Sequence, residues 1–288
     1  KIPLVPEADR GLLHAGTAIL AIAFLAKAGM WPLNFWLVPA YSSASAPVAA
    51  MFAIMTKVGV YTVLRLWTLL FSGQAGASAY FGGDWLIYGG MATIVCAALA
   101  ILAAQRLERM ASLSILVSAG ILLSAIGFAQ PNLVAAALFY LVSSTLALSA
   151  LFLLAELIER SRTAVEVPLD DEVEALPRPL GVSPPTKGIN LDDEQQAVVG
   201  QVIPWTMAFL GLSFIACALL IIGMPPLSGF IGKLMILKSV AALPDWGWAW
   251  GVILVSTFIG VVGFARVGSA VFWKASPDGE TLAAPVSR

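Results

Sequence analysis

Apolar residues run along this chain in long unbroken stretches. They show neither the two-residue alternation of a half-buried strand nor the single stripe of a surface helix. A helix needs about 20 apolar residues to cross a bilayer, and seven stretches meet that length: 12–40, 45–72, 85–104, 109–129, 133–158, 204–243 and 247–273. The first and sixth are too long for one simple crossing and carry helix breakers near their middles. One holds Gly29-Met30-Trp31-Pro32, with Pro39 beyond; the other holds Gly223-Met224-Pro225-Pro226-Leu227-Ser228-Gly229. Proline removes a backbone donor and clashes with the preceding turn, so both elements should be discontinuous, broken at Pro32 and at Pro225, Pro226 and Gly229. At membrane depth such a break survives only where protein or a water-filled cavity receives the freed backbone groups. The pattern predicts an all-α polytopic membrane protein of about seven transmembrane crossings, two of them discontinuous helices.

Composition agrees. Hydrophobic residues make up 59% of the 288 and charged residues only 11%, against about 25% charged in a soluble domain; the mean hydropathy is +0.90. A soluble enzyme, a secreted disulfide scaffold and a disordered chain are excluded. Charge is unevenly spread: between Glu159 and Glu194 nine acids face four bases, leaving the rest of the chain net basic. The basic residues form no nucleic-acid surface. Cys96 and Cys217 stand alone in apolar runs, and His14 is the single histidine, so no metal, flavin or haem ligand set is visible and no cofactor is expected. Arg106, Arg109, Arg160, Arg162, Arg178, Lys187, Lys274 and Arg288 fall on one side of the predicted topology, Lys1 and Arg10 on the other. The first side is expected to be cytoplasmic. The chain then divides into 1–72, a broken helix plus a following helix; 85–158, three crossings; 159–203, a cytoplasmic acidic Pro-rich loop; 204–273, a second broken helix plus a following helix; and a tail, 274–288. Trp246, Trp248 and Trp250 are placed at the outer boundary, as in an interfacial aromatic belt.

Three lysines lie inside the spans: Lys57 near the centre of the second, Lys27 just before the first break and Lys233 just after the second. An ammonium at a helix centre costs about 2.5–3.5 kcal/mol on insertion scales, and no Asp or Glu lies deep in a span to offset it. A lysine amine can shed and regain its proton when desolvated, which a guanidinium cannot do. Lys238 and Arg65, nearer helix ends, read as snorkelling side chains. Ser118, Ser143, Ser144 and His14 are candidates for a water wire, although Ser and Thr equally serve helix packing and His14 suits an interface.

At these residues a family becomes visible. The run Lys27-Ala28-Gly29-Met30-Trp31-Pro32-Leu33-Asn34-Phe35-Trp36, the helix from Pro47 through Lys57 to Arg65, and the run Gly223 to Lys233 resemble the antiporter-like membrane subunits. That superfamily covers Mrp-type cation/proton antiporters and the proton-pumping arm of respiratory complex I. Arg106-Leu107-Glu108-Arg109, Ala265 to Trp273 and Val5 to His14 are similar to the D-type branch of Mrp (Pha) antiporter subunits. The resemblance implies an inverted-repeat fold in which Lys27 and Lys57 carry protons in the first repeat and Lys233 in the second. Two departures stand out: Asn34 and Tyr41 replace histidines of the complex I members, and Leu148 stands where a central buried lysine aligns. The family's glutamate partner of the first lysine would lie upstream, so the chain is expected to be roughly the C-terminal half of such a protein.

The resulting expectation is a proton-translocating subunit of a multisubunit monovalent cation/proton antiporter in a bacterial inner membrane. Its partners would be the other subunits, H⁺, Na⁺ or K⁺ and the lipid bilayer, with no nucleic acid. Two alternatives stay open. One is a proton-pumping membrane subunit of a complex I-like NADH-quinone oxidoreductase or hydrogenase. The other is a non-transporting scaffold subunit whose lysines bind anionic headgroups.

Overall fold

A computed structural model describes residues 5–166, 205–243 and 247–272. Helices α1 (Glu7–Ala28), α2 (Leu37–Ser43), α3 (Ala46–Leu70), α4 (Gly83–Ala103), α5 (Leu107–Gly127), α6 (Pro131–Glu166), α7 (Trp205–Ile222), α8 (Ser228–Ala241) and α9 (Gly247–Phe272) follow one another, and no strand occurs among the described residues. Seven helical segments are long and apolar enough to cross a membrane, with α2 and α8 as the short second halves of the two broken elements. The sequence pattern predicts this number and both interruptions. Helix α6 runs eight residues past the expected limit of 158, to Glu166. The rest of the predicted loop, the tail from 274 and Trp246 lie outside the described residues.

The bundle is organised around α5, of which nearly every residue is buried. It packs on α4, α6, α3, α9 and α2. Lipid tails are as apolar as leucine, so closeness between membrane helices comes from small residues that let backbones meet. On α4 these recur every seventh position as Gly83, Gly90, Ala97 and Ala104, the period of a left-handed crossing. A Cβ on Gly120 of α5 would lie 2.6 Å from the Gly90 carbonyl oxygen, and one on Gly127 would lie 2.6 Å from that of Gly83. The carboxyl end of α4 is closed by α9: the Arg266 guanidinium donates to the carbonyl oxygens of Ile101 at 3.1 Å, Ala104 at 2.6 Å and Leu102. Carbonyls in the last turn of a helix lack the full set of intrahelical partners; Ile101 O also accepts from Ala104 N–H at 3.1 Å, and a cation there meets the negative end of the helix dipole.

The two broken elements are built alike. Gly29-Met30-x-Pro32-Leu33 and Gly223-Met224-x-Pro226-Leu227 occupy equivalent turns, with Gly29 at φ 78° and Gly223 at φ 79° ending the first half-helix in each. Met30 N–H returns to Leu25 O and Leu33 N–H to Met30 O; Met224 N–H returns to Leu219 O and Leu227 N–H to Met224 O.

Replacing Gly120 by valine should disrupt the α4–α5 seam by at least about 1–3 kcal/mol, the usual cost of overpacking. Thermal unfolding of the detergent-solubilised protein should show a clear fall in midpoint. Gly11→Ala, where an added Cβ meets nothing within 4 Å, should leave the midpoint in place.

Candidate functional site

Each break needs partners for the backbone it exposes, and the two find them differently. At the first, Trp31 N–H donates to Thr93 Oγ1 of α4 at 2.8 Å, and Trp36 Nε1 returns to Ala26 O at 3.1 Å. At the second, proline stands in Trp31's place: Pro225 has no N–H to satisfy. What remains there is the end of α7, where Lys233 Nζ donates to Ile222 O at 2.6 Å and to Thr257 Oγ1 of α9 at 3.3 Å. Thr257 gives its own proton to Ile253 O, so its oxygen is free to accept. Gly229 is required for clearance and not for an unusual backbone angle, since a Cβ there would sit 1.8 Å from Leu220 O. Lys233 itself is 6% exposed.

Lys57 is 2% exposed. It stands eleven residues into α3, roughly 16 Å along the axis, which is beyond reach of either surface. Its Nζ donates to Ser118 Oγ of α5 at 2.5 Å, and Ser118 donates on to Ile115 O. The ion pairs Arg10–Glu7, Arg106–Glu108 and Arg160–Glu156 involve none of the three lysines. Both buried amines are thus held by neutral oxygen. A cavity of about 20 Å³ beside Lys233 is touched by Ser114, Ser118, Tyr140, Ser256 and Thr257.

Lys27 is placed differently from the expectation of a buried amine. It is exposed, although α1 packs chiefly on α3 and the lysine lies at the edge of that contact. There it lines a side pocket of about 300 Å³ with Trp36, Tyr41 and Thr56. The stem of Lys27 lies over Gly59, where a Cβ would come within 3.3 Å of its Cγ. Tyr41 donates to Phe52 O at 2.5 Å and pairs with Thr56, the neighbour of Lys57.

Of the water-wire candidates, Ser118 alone bonds one of the three lysines, Lys57. Ser143 pairs with Ser228 Oγ at 2.8 Å, bracing α6 against the start of α8. Ser144 turns back to Leu141 O. His14 stacks on Phe81 at 4.0 Å between centroids and meets Ser78 Oγ at 3.0 Å, some 20 Å along α1 from Lys27 by helical rise. Leu148 is 1% exposed and packs in the apolar core. Thr93, Ser256 and Thr257 escape the sequence pattern because their hydroxyls give their protons to their own helices, as packing serines and threonines commonly do. Lys238 and Arg65 are exposed, and Trp250 Nε1 bonds Leu237 O, tying α9 to α8. No group of three or more His, Cys, Asp or Glu fit to hold a metal occurs among the described residues.

Apolar crossings and two paired helix breaks, with lysines buried beside no carboxylate, define a polytopic α-helical membrane protein. The chain belongs to the family described as NADH:quinone oxidoreductase/Mrp antiporter, TM, which matches residues 8–260. It is 43% identical over 284 residues to the D subunit of a probable K⁺/H⁺ antiporter of Rhizobium meliloti (strain 1021), covering 95% of this chain and 50% of that protein. It is 26% identical over 274 residues to the D subunit of a Na⁺/H⁺ antiporter of Bacillus subtilis (strain 168), covering 94% and 48%. The chain thus spans about half the length of these relatives. In fold it is similar to a chain of the Mrp complex from Dietzia sp. DQ12-45-1b, with TM-score 0.63, 24% identity, and 90% and 42% of the two chains covered. It is also similar to a chain of an archaeal membrane-bound sulfane sulfur reductase, with TM-score 0.72, 20% identity, and 96% and 50% covered.

Thr93→Val should leave the Trp31 amide without its acceptor at a cost of about 1–3 kcal/mol. Hydrogen exchange read by mass spectrometry should quicken at Trp31 in that variant. Thr93→Ser should preserve protection; equal rates in all three proteins would remove Thr93 from this role.

Proposed function

We propose that this chain is a proton-translocating D-type subunit of a multisubunit monovalent cation/proton antiporter in a bacterial plasma membrane. It works there with the other antiporter subunits and exchanges H⁺ against K⁺ or Na⁺. The observation that carries the reading is the pair Lys57 and Lys233: two amines buried inside the spans, bonded only to hydroxyl and carbonyl oxygen. Neutral partners let an amine gain and lose a proton without leaving an orphaned carboxylate behind. A salt-bridged lysine would be locked in its charged form.

Lys27, at the side pocket beside Tyr41 and Thr56, takes the position of first acceptor. Lys57 holds the proton in the interior, and Lys233 passes it on beyond the second break. Each amine's charge raises the cost of charging the next, which couples the sites. The membrane potential acts on the same steps, contributing about 2.3 kcal/mol per charge per 100 mV. The particular choice of an antiporter over a redox-driven pump rests on the 43% identical relative named for K⁺/H⁺ exchange. Leu148 fits this choice, since it fills with packed hydrocarbon the place where a continuous lysine chain would need an amine.

In the assembled full-length complex, Lys57→Ala and Lys233→Ala should each reduce cation-dependent collapse of a pH gradient at least about a hundredfold, in the range expected of a lost proton-transfer group. Dye quenching in everted vesicles reads the exchange, and co-purification of the partner subunits reads assembly. Wild-type quenching in both variants would defeat the reading.

A further inference from the structure

A cavity of about 550 Å³ opens at the end of the bundle opposite Arg106, Arg109 and Arg160, in the wedge between α3 and α6 with the end of α5 behind it. Its walls are hydrocarbon and aromatic: Leu64, Trp67, Phe71, Leu133 and Ala137 line it and are buried. Leu64 stands six residues before the end of α3 and Ala137 six residues into α6, so both walls reach roughly 9 Å below the helix ends. Ser72, Gln74 and Tyr80 bring polar groups to the mouth. The hydroxyl of Thr68, in the wall, is spent on Leu64 O at 2.8 Å. No charged residue among the described residues lines the cavity. The mouth is shaped by two turns in the left-handed conformation at residues that carry a Cβ, Tyr80 at φ 59° and Ala129 at φ 51°. That conformation is costly outside glycine; here it is held by Tyr80 N–H to Phe71 O at 2.9 Å and Ala129 N–H to Ile126 O at 3.0 Å. Backbone strain of this kind gathers where a chain is shaped around a ligand.

We propose that this cavity is a binding site for one acyl chain of a phospholipid in the leaflet at that end of the bundle. The ester level of the lipid sits at Ser72, Gln74 and Tyr80, and its upper methylenes pack against Trp67, Phe71, Leu133 and Ala137. The volume lies within the range of about 300–1,000 Å³ usual for small-molecule sites, which are likewise mostly apolar with a few placed polar groups. Water is a poor occupant, because apolar cavities stay dry, and an unfilled cavity forfeits the dispersion contacts of its walls. At this depth the surroundings of the helices are hydrocarbon, so a lipid tail is the apolar filler at hand. The rim suits an uncharged ester: the Gln74 amide and the Ser72 and Tyr80 hydroxyls are donors for its carbonyl oxygen. No cationic side chain lines the mouth to select a free carboxylate, which separates a phospholipid tail from a free fatty acid. A seated tail braces α3 against α6. No lysine lines the cavity, so the site goes beyond the proton-carrying reading and does not depend on it.

The assembled full-length complex, reconstituted with a phosphatidylcholine that carries a diazirine in the upper third of one acyl chain, tests this directly. After irradiation and digestion, mass spectrometry should find label within 64–83 and 125–137 in excess of that on the exposed face of α9 around Phe258. The same lipid with its diazirine at the chain terminus should label these segments less, because the walls reach only roughly 9 Å below the helix ends. Ala137→Trp fills the deep wall and should cut the label about tenfold or more, since overfilling a packed site costs at least about that factor in occupancy; label on α9 should not change. Where Ala137→Trp fails to assemble with the partner subunits, Val134→Trp, from the half-buried edge of the same cavity, takes its place. A diazirine fatty acid that labels these segments as strongly as the phospholipid would assign the cavity to a free carboxylate and overturn the proposal. Label no greater than on α9, or indifferent to the tryptophan, would reduce the site to ordinary lipid contact, and no label at all would assign the wedge to protein packed over it; either result overturns the proposal. None of these readouts involves transport, so failure here leaves the lysine reading standing, and failure of the lysine reading leaves this one.

Discussion

A backbone N–H or C=O set free inside hydrocarbon has no solvent to turn to, and leaving one unmet costs several kcal/mol. This chain frees such groups twice, near the middle of two crossings, and the rest of the bundle is arranged to receive them. Thr93 reaches from α4 for the Trp31 amide. Lys233 reaches back across its own break for the Ile222 carbonyl. Because α4 and α9 must stand close enough to serve these breaks, the glycine seam between α4 and α5 and the Arg266 clamp on the α4 terminus become part of the same requirement.

The same requirement explains how a charged group is tolerated at depth. An ammonium at the carboxyl end of a half-helix meets carbonyl oxygen and the negative end of the helix dipole, so Lys233 caps α7. Lys57 has no helix end to lean on. It uses one serine on the most deeply buried helix of the bundle. The two amines therefore differ in what holds them: removal of Lys233 unsettles a backbone joint, whereas removal of Lys57 leaves Ser118 still bonded to its own helix.

Much of this architecture is legible in the amino-acid order. Twenty-residue apolar runs, and proline and glycine inside two of them, give the crossings and the breaks because hydrocarbon thickness and proline geometry act locally. The depth of Lys57 follows from its distance to either end of its run. The exposure of Lys27 does not, because the residues that decide it belong to the neighbouring flank of α1. Nor does sequence spacing tell Ser118 from Ser143 or Ser144: all three sit in serine-containing helices, and only the rotation of α5 against α3 turns Ser118 toward an amine. Thr93 and Thr257 look like ordinary packing residues until Trp31 and Lys233 are seen to donate to them. The seven-residue spacing of Gly83, Gly90, Ala97 and Ala104 is present in the sequence, yet Gly82-Gly83 reads there as a turn; Gly82 does end the loop in a left-handed conformation at φ 74°, while Gly83 begins the seam.

The contact between Gly229 and Leu220 O is tight enough to define the mechanics of the second elbow. With 1.8 Å to the nearest oxygen from where a Cβ would be, α7 and α8 lean on one another like two stones of an arch, and neither can swing without first backing away from the other. An elbow of that kind is a poor hinge. Side chains around this elbow therefore rearrange over a stationary scaffold, with little motion of the helices themselves.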